Sequence, residues 1–474
     1  MKEIRIQRHW LILASVSMGT VLMVTNGTIV GVALPTMARE MKTELAVIQW
    51  VVLAYLLTLS ALLPIMGRLA DMFGRKLMYC TGLIIVAAGA IACAFAPNLG
   101  WLIAARVLMA AGAAMPMSNG QAIVTSVFPS KERGMALGIT GSMVAIGTMA
   151  GPVIGGFLIQ WAGWPAVFLV NIPLGLAAFS AACWLLPKDS GGGRREPFDF
   201  AGAALFIIAT VTLLLAVSMA PVWGAGISTW SSVIAAVAAM FWFIARERKT
   251  PYPLIDLDLF KIRLFSLSIS AAFLSFVAMS AIAILTPFYL QDLLGYPPSS
   301  LGLLLLPYPV VLCIVAPVSG YLSDRIPGVI LTTTGLLING AALKWLASID
   351  PSQGLWAVLT CMSILGFGMG LFQSPNNSAV MGSVPKHRLS VANGMNSLIR
   401  NLGMVIGTAV AVGVFTTARN NILLVTTAAP DYTQTAAFMA GWKAALNLAA
   451  IAALIAAVVS LQRRKTGGSV SVGE

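Results

Sequence analysis

The chain carries little charge for its length. Only 9% of its 474 residues are Asp, Glu, Lys or Arg, whereas soluble domains carry about 25%. Hydrophobic residues make up 58% of the sequence, and the mean hydropathy is +0.90. This composition excludes an ordinary soluble domain and predicts an integral membrane protein.

The sequence also lacks the usual patterns of metal, redox and catalytic sites. It has two histidines and five cysteines, and the cysteines are scattered through apolar segments without a CxxC pair. Neither a nucleotide-binding loop nor a nucleophile–base arrangement occurs along it. We therefore expect no enzyme activity, no metal and no cofactor.

Long apolar segments are what the sequence has instead. A bilayer core needs about 20 apolar residues per helix, and the chain supplies fourteen such segments. We predict an all-α integral membrane fold of fourteen transmembrane helices. The spans lie near 10–35, 46–68, 77–97, 99–121, 134–158, 165–186, 200–220, 227–245, 264–291, 299–323, 328–348, 354–381, 392–418 and 440–461.

The basic residues predict the orientation of these spans. With a cytoplasmic N-terminus, most of the 29 Lys and Arg residues fall in inner loops, as the positive-inside rule requires. The first apolar run is too long for a signal peptide, so we expect a retained span. Both termini are expected in the cytoplasm, in a cell (inner) membrane. The net charge of +13 then reflects topology and contact with membrane lipids rather than nucleic-acid binding.

Two polar breaks divide the chain. The first, PKDSGGGRREPFDF at Pro187–Phe200, follows six spans, and the second, Arg246–Arg263, precedes the last six. The sequence GRLAD at Gly67–Asp71 and its echo GYLSDR at Gly320–Arg325 each follow the second span of a block, which indicates two pseudo-symmetric halves. We expect an N-terminal six-helix bundle at 1–190, a linker with an inserted helix pair at 191–250, and a C-terminal six-helix bundle at 251–474.

A charged turn between the second and third spans carries the clearest motif. Its sequence, GRLADMFGRK at Gly67–Lys76, resembles the loop signature of the major facilitator superfamily, in particular the fourteen-span drug:proton antiporter branch. The resemblance implies that Asp71 bridges helix ends and basic residues and holds an outward-open state. Alternatively, Arg75 and Lys76 serve only to orient the spans. The candidate gate residues are Gly67, Asp71, Gly74, Arg75, Lys76, Asp324 and Arg325.

The fifth span is similar to the antiporter signature of that superfamily. The sequence GTMAGPVIGG places Gly147, Gly151, Gly155 and Gly156 largely along one helix stripe, and Pro152 is expected to bend the helix. A generic small-residue packing face is the alternative. Further stretches resemble the branch at Asn171–Gly175, Tyr289–Tyr296 and Ser390–Gly403, although Trp164, Pro165 and Ala166 replace its usual Trp-Arg-Trp.

The first span departs from the family at one position. In VTNGTIVGVALP, at Val24–Pro35, Asn26 stands where the resemblance implies an aspartate that takes up protons and counters cationic drugs. An Asp-to-Asn substitution that mimics the protonated state would give the same residue. The sixteen acids of the chain all fall in loops or near span ends.

Two arginines fall within predicted spans. Arg106 lies seven residues into the fourth span, about 10 Å deep, where an arginine is a functional hypothesis by default. The family's glutamine three residues further on is replaced by Met109. Arg400 lies deep in the thirteenth span. Alternatively, either arginine is structural and hydrogen-bonded to carbonyls.

These observations leave three functions open. The first is proton-coupled export of hydrophobic or cationic drugs by alternating access, and the second is transport of an anionic or amphipathic lipid-like solute bound through Arg106. The third is a membrane sensor that does not transport. We expect a monomer whose partners are a small-molecule substrate, protons in the first case, and lipids. The expected substrate and proton pathway comprises Thr25, Asn26, Thr28, Gln49, Tyr55, Arg106, Asn119 and Arg400.

Overall fold

The fold is a bundle of long helices. The computed structural model describes residues 2–463 apart from 44, 49, 188–196, 224–225, 252, 256, 297–302, 386–387 and 426–429, and these described residues contain no β-strand. The long helices are α1 Lys2–Glu40, α2 Trp50–Phe73, α3 Arg75–Ala94, α4 Leu99–Val127, α5 Arg133–Ala162, α6 Asn171–Leu185, α7 Phe200–Trp223, α8 Ile227–Glu247, α9 Arg263–Phe288, α10 Pro307–Ser323, α11 Gly328–Ser348, α12 Gly354–Gly382, α13 Leu389–Val425 and α14 Pro430–Leu461.

Short helical segments connect several of these helices. Single α-helical turns occur at Leu45–Ile48 and Ala166–Leu169, 3-10 turns at Ser130–Glu132, Leu257–Lys261 and Pro351–Gln353, and a π-helical segment at Tyr289–Leu293. Within the described residues, thirteen helices are long and apolar enough to cross a membrane. The remaining one, α10, is apolar but has 17 residues. Large apolar side chains are exposed on the outside of the bundle, for example Trp184, Trp161 and Trp356.

The predicted spans match these helices, with differences at the ends. The N-terminal residues that precede the first predicted span are helical from Lys2, so α1 is 39 residues long. The helices α13 and α14 are also longer than predicted, at 37 and 32 residues. Hydropathy locates the apolar part of a helix, but hydrogen bonding continues through polar residues beyond the bilayer core.

The first and last six helices share one pattern of packing. In the first six, α1 packs on α5, α2 on α4, and α3 on both α4 and α6; in the last six, α9 packs on α13, α10 on α12, and α11 on both α12 and α14. The two sets meet along two seams, α2 against α13 and α5 against α10. Each seam thus joins the second helix of one set to the fifth helix of the other.

The helices α7 and α8 form an antiparallel pair beside the first seam. Asp199, just before α7, accepts hydrogen bonds from Arg246 Nε of α8 at 2.9 Å and from the Gly202 N–H at 3.0 Å. Burial opposes ionisation of Asp199, but the bonds from Arg246 and Gly202 outweigh it and hold its pKa below the ordinary value. The pair contacts both α2 and α13 through α7.

Basic loops gather at one end of the bundle. The turns between α2 and α3, between α4 and α5, between α10 and α11, and between α12 and α13 lie there, and we refer to it as the basic end. The domain limits and the cytoplasmic placement of this end stay predictions.

Candidate functional site

A fully buried arginine lies between α1, α2 and α4. Arg106 has no exposed surface, and its Nη1 donates to Asn26 Oδ1 at 3.2 Å while its Nε donates to the Val51 carbonyl at 3.0 Å. Its guanidinium carbon lies 4.1 Å from the centre of the Tyr55 ring. The partner of Arg106 that the sequence left open is therefore a neutral amide together with a backbone carbonyl and an aromatic face.

This cluster leaves three polar groups without a hydrogen bond among the described residues. They are Arg106 Nη2, Asn26 Nδ2 and Tyr55 Oη, and all three side chains are at most 1% exposed. A guanidinium whose neighbours are neutral keeps its full positive charge in a medium of low dielectric constant. The half of the first bundle that lies away from the basic end is consequently a positively charged environment with unfilled hydrogen-bonding groups among the described residues.

Thr25 and Thr28 do not join this cluster. Thr25 Oγ1 donates to the Gly147 carbonyl of α5 at 3.1 Å, and Thr28 Oγ1 donates to carbonyls of its own helix. Asn119 Nδ2 likewise donates to the Met115 carbonyl of its own helix at 2.9 Å. Gln49 lies outside the described residues. The predicted pathway residues are thus divided between one cluster, around Arg106, and separate packing contacts.

Arg400 lies elsewhere, at the border of two cavities. The larger, about 460 Å³, is lined by α1, α3, α4 and α5 of the first bundle and by α13. The smaller, about 250 Å³, is lined by α9, α12 and α13. Arg400 is eleven residues into α13, about 16 Å from the basic end and so near the middle of a bilayer core. The side chain of Arg400 makes none of the hydrogen bonds or ion pairs between described residues.

Amide side chains surround Arg400 on the C-terminal side. Gln373, Asn376 and Asn377 occupy positions i, i+3 and i+4 of α12, and Asn393, Asn396 and Arg400 occupy i, i+3 and i+7 of α13. Of these six residues, all but Asn393 line the smaller cavity, and Asn393 lines the larger. The sequence interpretation missed these amides, although their helical spacing was a usable signal, because residues so spaced share one helix face.

Bonds within the amide group fix several of these side chains. Asn396 Nδ2 donates to Asn377 Oδ1 at 3.0 Å, and Asn376 Oδ1 accepts from Arg463 Nη2 at 2.7 Å. Burial lowers the pKa of Arg463, just beyond α14, to about 10, so it stays charged at neutral pH. Asn376 Nδ2 has no hydrogen-bond partner among the described residues, although Asn376 is 1% exposed.

The predicted gate residues lie at the seam between α2 and α13. Arg75 Nη2 donates to Asp71 Oδ1 at 3.0 Å, and the Val391 N–H at the start of α13 donates to Asp71 Oδ2 at 3.1 Å. A carboxylate is favoured there by the free N–H groups and the dipole of the helix. The helices are close enough that a Cβ on Gly67 would lie 2.5 Å from the Ser390 carbonyl oxygen.

The echo of this motif makes the equivalent contact at the other seam. Asp324, after α10, accepts from the Gly134 and Met135 N–H groups of α5 at 2.9 and 3.2 Å. Burial raises the pKa of Asp324 above its ordinary value, while the two N–H donors act in the opposite direction. Gly134 and Gly320 face each other so closely that neither could carry a Cβ. Each acid therefore caps the fifth helix of the other bundle.

The other predicted gate residues have different roles in the packing. Lys76 donates to the Cys183 and Leu186 carbonyls at the end of α6, at 2.6 and 3.0 Å, so it stays within the first bundle. Gly74 precedes α3 with a φ of 109°, a conformation that favours glycine. Arg325 is exposed, and its guanidinium stacks on Tyr321 at 4.2 Å.

Three of the four motif glycines on α5 pack against α1. A Cβ on Gly147 would contact Val21 and Val24. A Cβ on Gly151 would contact Thr28 and Ile29, and one on Gly155 would contact Ile29. Gly156 has open space within 4 Å, because it is 100° around the helix from Gly155 and so lies off the stripe. The backbone of Pro152 is described as helical, whereas its side chain lies outside the described residues.

Comparisons with known proteins agree with this geometry. A family model described as Major Facilitator Superfamily matches residues 16–408. The chain is 33% identical to riboflavin transporter RibZ of Clostridioides difficile (strain 630), over 85% of this chain and 87% of that protein. It is 34% identical to multidrug resistance protein Stp of Mycobacterium tuberculosis (strain CDC 1551 / Oshkosh), over 84% and 74%, respectively.

Similarity extends to an export protein and to a solved structure. The tetracenomycin C resistance and export protein of Streptomyces glaucescens is 31% identical over 87% of this chain and 77% of its own length. A crystal structure of the human organic anion transporter MFSD10 (TETRAN) matches with a TM-score of 0.66 at 14% identity, covering 95% of this chain and 99% of that one. At that identity the match speaks for the fold alone, and it confirms the predicted all-α membrane fold.

Proposed function

Because this chain belongs to the Major Facilitator Superfamily, we propose that it carries amphipathic organic solutes with an uncharged or acidic head group out of the cell by alternating access. It is a multi-pass membrane transporter and not an enzyme. The observation that carries the proposal is the charge of its interior. Two arginines lie at membrane depth, whereas every acid among the described residues lies in a loop or within two residues of a helix end.

Electrostatics then selects the substrate charge. At an effective dielectric constant of about 20, two like charges about 6 Å apart repel by about 3 kcal/mol. A cationic drug beside Arg400 would meet this repulsion, and no described carboxylate lines either cavity to offset it, whereas an acidic group would gain a comparable attraction. The interior therefore favours uncharged and anionic solutes over quaternary ammonium compounds.

The seams supply the moving parts of the proposed mechanism. Asp71 and Asp324 hold the two bundles together at the basic end, which we place in the cytoplasm on the positive-inside rule. In this arrangement the cytoplasmic side is closed. Breaking both caps would let the bundles rock apart there, and substrate would shift the balance by binding the two states unequally.

Proton-coupled export of hydrophobic or cationic drugs is the second candidate. The relatives named for multidrug resistance favour it, as does the glycine stripe that resembles the antiporter signature. It requires a carboxylate that titrates within the transport pathway, and Asn26 cannot serve. The acids that could be drawn into the outer vestibule for that role are Glu44 and Asp292, and Glu44 and the side chain of Asp292 lie outside the described residues.

Transport by purified protein in proteoliposomes separates these functions. We expect the wild type to move 2-naphthoate faster than 2-naphthylmethylammonium, with the uncharged 2-naphthamide, counted above its passive leak, as a reference. Movement of protons driven by the ammonium compound, with no 2-naphthoate flux, would establish drug–proton exchange instead. Binding of 2-naphthoate without flux would indicate a sensor. Liposomes without protein control for passive leak.

A further inference from the structure

The two interior arginines differ in their access to a ligand. Arg106 is completely enclosed, with its guanidinium against Tyr55, Asn26 and the Val51 carbonyl, and it lines neither of the two cavities. Arg400 is half-buried and lines both cavities. A ligand at Arg400 would therefore adjoin space that already exists within the bundle, whereas a ligand at Arg106 would require α1 and α2 to separate.

The smaller cavity supplies the partners that an acidic group needs. Beside Arg400 it presents Gln373, Asn376, Asn377 and Asn396, and no described carboxylate lines it. Asn376 uses its oxygen to accept from Arg463, which leaves its Nδ2 donor without a partner among the described residues. A cation together with an unfilled buried donor is complementary to the oxygens of an anion.

The larger cavity fits the remainder of an amphipathic solute. Met23, Val24, Met117 and Val144 form its apolar walls, and Tyr79 and Gln121 add polar contacts. Because Arg400 lines both spaces, a solute bound across it would place its head and its body in different cavities.

We propose that Arg400 and the amides of α12 form a carboxylate-binding subsite, in which an aromatic or otherwise apolar body occupies the adjoining cavity between the two bundles. The subsite rests on the proposed function and deepens it by assigning the acidic head group to Arg400 rather than to Arg106. The subsite consists of residues of α12 and α13, whereas the apolar body of the solute would contact the first bundle. A single solute would therefore contact both of the bundles that move relative to each other.

Binding measurements on protein in nanodiscs test this subsite. Equilibrium dialysis against 2-naphthoate and 2-naphthamide, with empty nanodiscs subtracted, compares a charged and an uncharged head on one ring. We expect the wild type to bind the carboxylate about tenfold more tightly, since a charge-assisted pair is worth about 1.5 kcal/mol or more. Arg400→Gln should abolish the preference, and Arg400→Lys should retain part of it because the charge stays but the planar fork is lost.

Arg419→Gln is the matched control. Arg419 is an exposed arginine on the same helix, so its loss removes the same charge and should leave the preference intact. Asn376→Asp provides a second variant if Arg400→Gln fails to fold, and it should abolish the preference by placing a carboxylate opposite Arg400. Its melting temperature is compared with that of the wild type.

The outcomes distinguish the subsite from the function on which it rests. A wild-type preference for 2-naphthoate that survives both Arg400→Gln and Asn376→Asp would overturn the subsite and leave the function standing. A wild type that does not distinguish carboxylate from amide would also overturn the subsite alone, because an uncharged head group is compatible with the proposed function. A wild type that binds 2-naphthylmethylammonium more tightly than both in the same dialysis would overturn the subsite and the function.

Discussion

At the scale of the residue, Asn26 determines the electrostatic state of Arg106. The amide oxygen of Asn26 accepts one bond from the guanidinium but supplies no negative charge, and its Nδ2 has no partner among the described residues. A buried cation is costly unless an anion compensates it. The chain therefore keeps a positive charge beside the position where its resemblance to the antiporter branch implies an aspartate.

We expect Asn26→Asp to stabilise the protein. The new carboxylate would accept the bond from Arg106 Nη1 as an ion, and its second oxygen would replace a donor that has no partner. The gain should be about 1–3 kcal/mol, observed as a melting temperature raised by several degrees in detergent. Asn119→Asp is the control, since Asn119 is equally buried but makes no bond to an arginine. That variant should melt lower, and equal shifts for both would contradict the pairing.

Tyr55 offers a second test at this scale. Its ring stacks on Arg106 while its hydroxyl has no hydrogen bond among the described residues. We expect Tyr55→Phe to change stability by less than about 1 kcal/mol, because the aromatic face stays. Tyr55→Leu should cost about 2 kcal/mol more than Tyr55→Phe, as the cation–π contact is lost. Melting curves in one detergent compare the two, and a greater loss for Phe would show that the hydroxyl is bonded.

At the scale of the element, the contact of α5 with α1 depends on individual glycines. A Cβ on Gly151 would meet Thr28 Cβ at 2.9 Å and the Ile29 backbone nitrogen at 3.0 Å, which cannot move away as a flexible side chain can. The same atom on Gly156 would enter open space. A motif that looks uniform in sequence therefore combines tightly packed and unconstrained positions.

Alanine substitution should separate these two glycines. We expect Gly151→Ala to destabilise the protein by about 1–3 kcal/mol through overpacking. Gly156→Ala should be neutral or stabilising by up to about 1 kcal/mol, because alanine favours the helix more than glycine does. Thermal unfolding of both variants, with transport of 2-naphthoate as a second measurement, provides the comparison. Equal losses in both would mean that α5 does not lie on α1 as described.

The sequence predicted the elements better than it predicted their contacts. Hydropathy located the fourteen spans, because burial in lipid imposes a length and a composition on each helix. The loop motif and its echo indicated the two acids, and each lies at a seam. The bond between Asn26 and Arg106 was not predicted, because it joins residues 80 positions apart whose contact depends on how α1 and α4 rotate. The amides around Arg400 were missed for a different reason: apart from Arg400 itself, the predicted pathway residues all lie in the first four spans or the turn between the first two.

At the scale of the whole molecule, the two seams resemble each other in geometry but differ in charge. Asp71 pairs with Arg75 as well as capping α13, whereas Asp324 caps α5 and makes no ion pair among the described residues. Replacing Asp71 removes an ionic partner of the half-buried Arg75. Replacing Asp324 removes only a negative charge whose burial is unfavourable. The basic end should therefore respond unequally to equivalent changes.

We expect Asp71→Asn to open the basic end and Asp324→Asn to leave it largely closed. In a background without native cysteines, Ser374→Cys places a thiol at the closed interface, where Ser374 donates to the Gly134 carbonyl at 3.0 Å. Asp71→Asn should lower the free energy that favours the closed basic end by about 1–3 kcal/mol. The rate of labelling by a membrane-impermeant thiol reagent should then rise by fivefold or more. Asp324→Asn should raise it by less than about threefold. The reverse order would show that the cap at α5 dominates closure.

Because of the position of α7, the two seams differ in their exposure to the bilayer. One seam, between α2 and α13, has a helix lying across its lipid side, while α7 and α8 make no comparable packing against α5 or α10 within the described residues. Acyl chains can therefore approach the α5–α10 crevice directly, but at the α2–α13 crevice they encounter protein first. An amphipathic solute dissolved in the bilayer could therefore approach the α5–α10 seam laterally, whereas α7 covers the α2–α13 seam. The two seams, although related by an approximate two-fold arrangement, differ in their access from lipid.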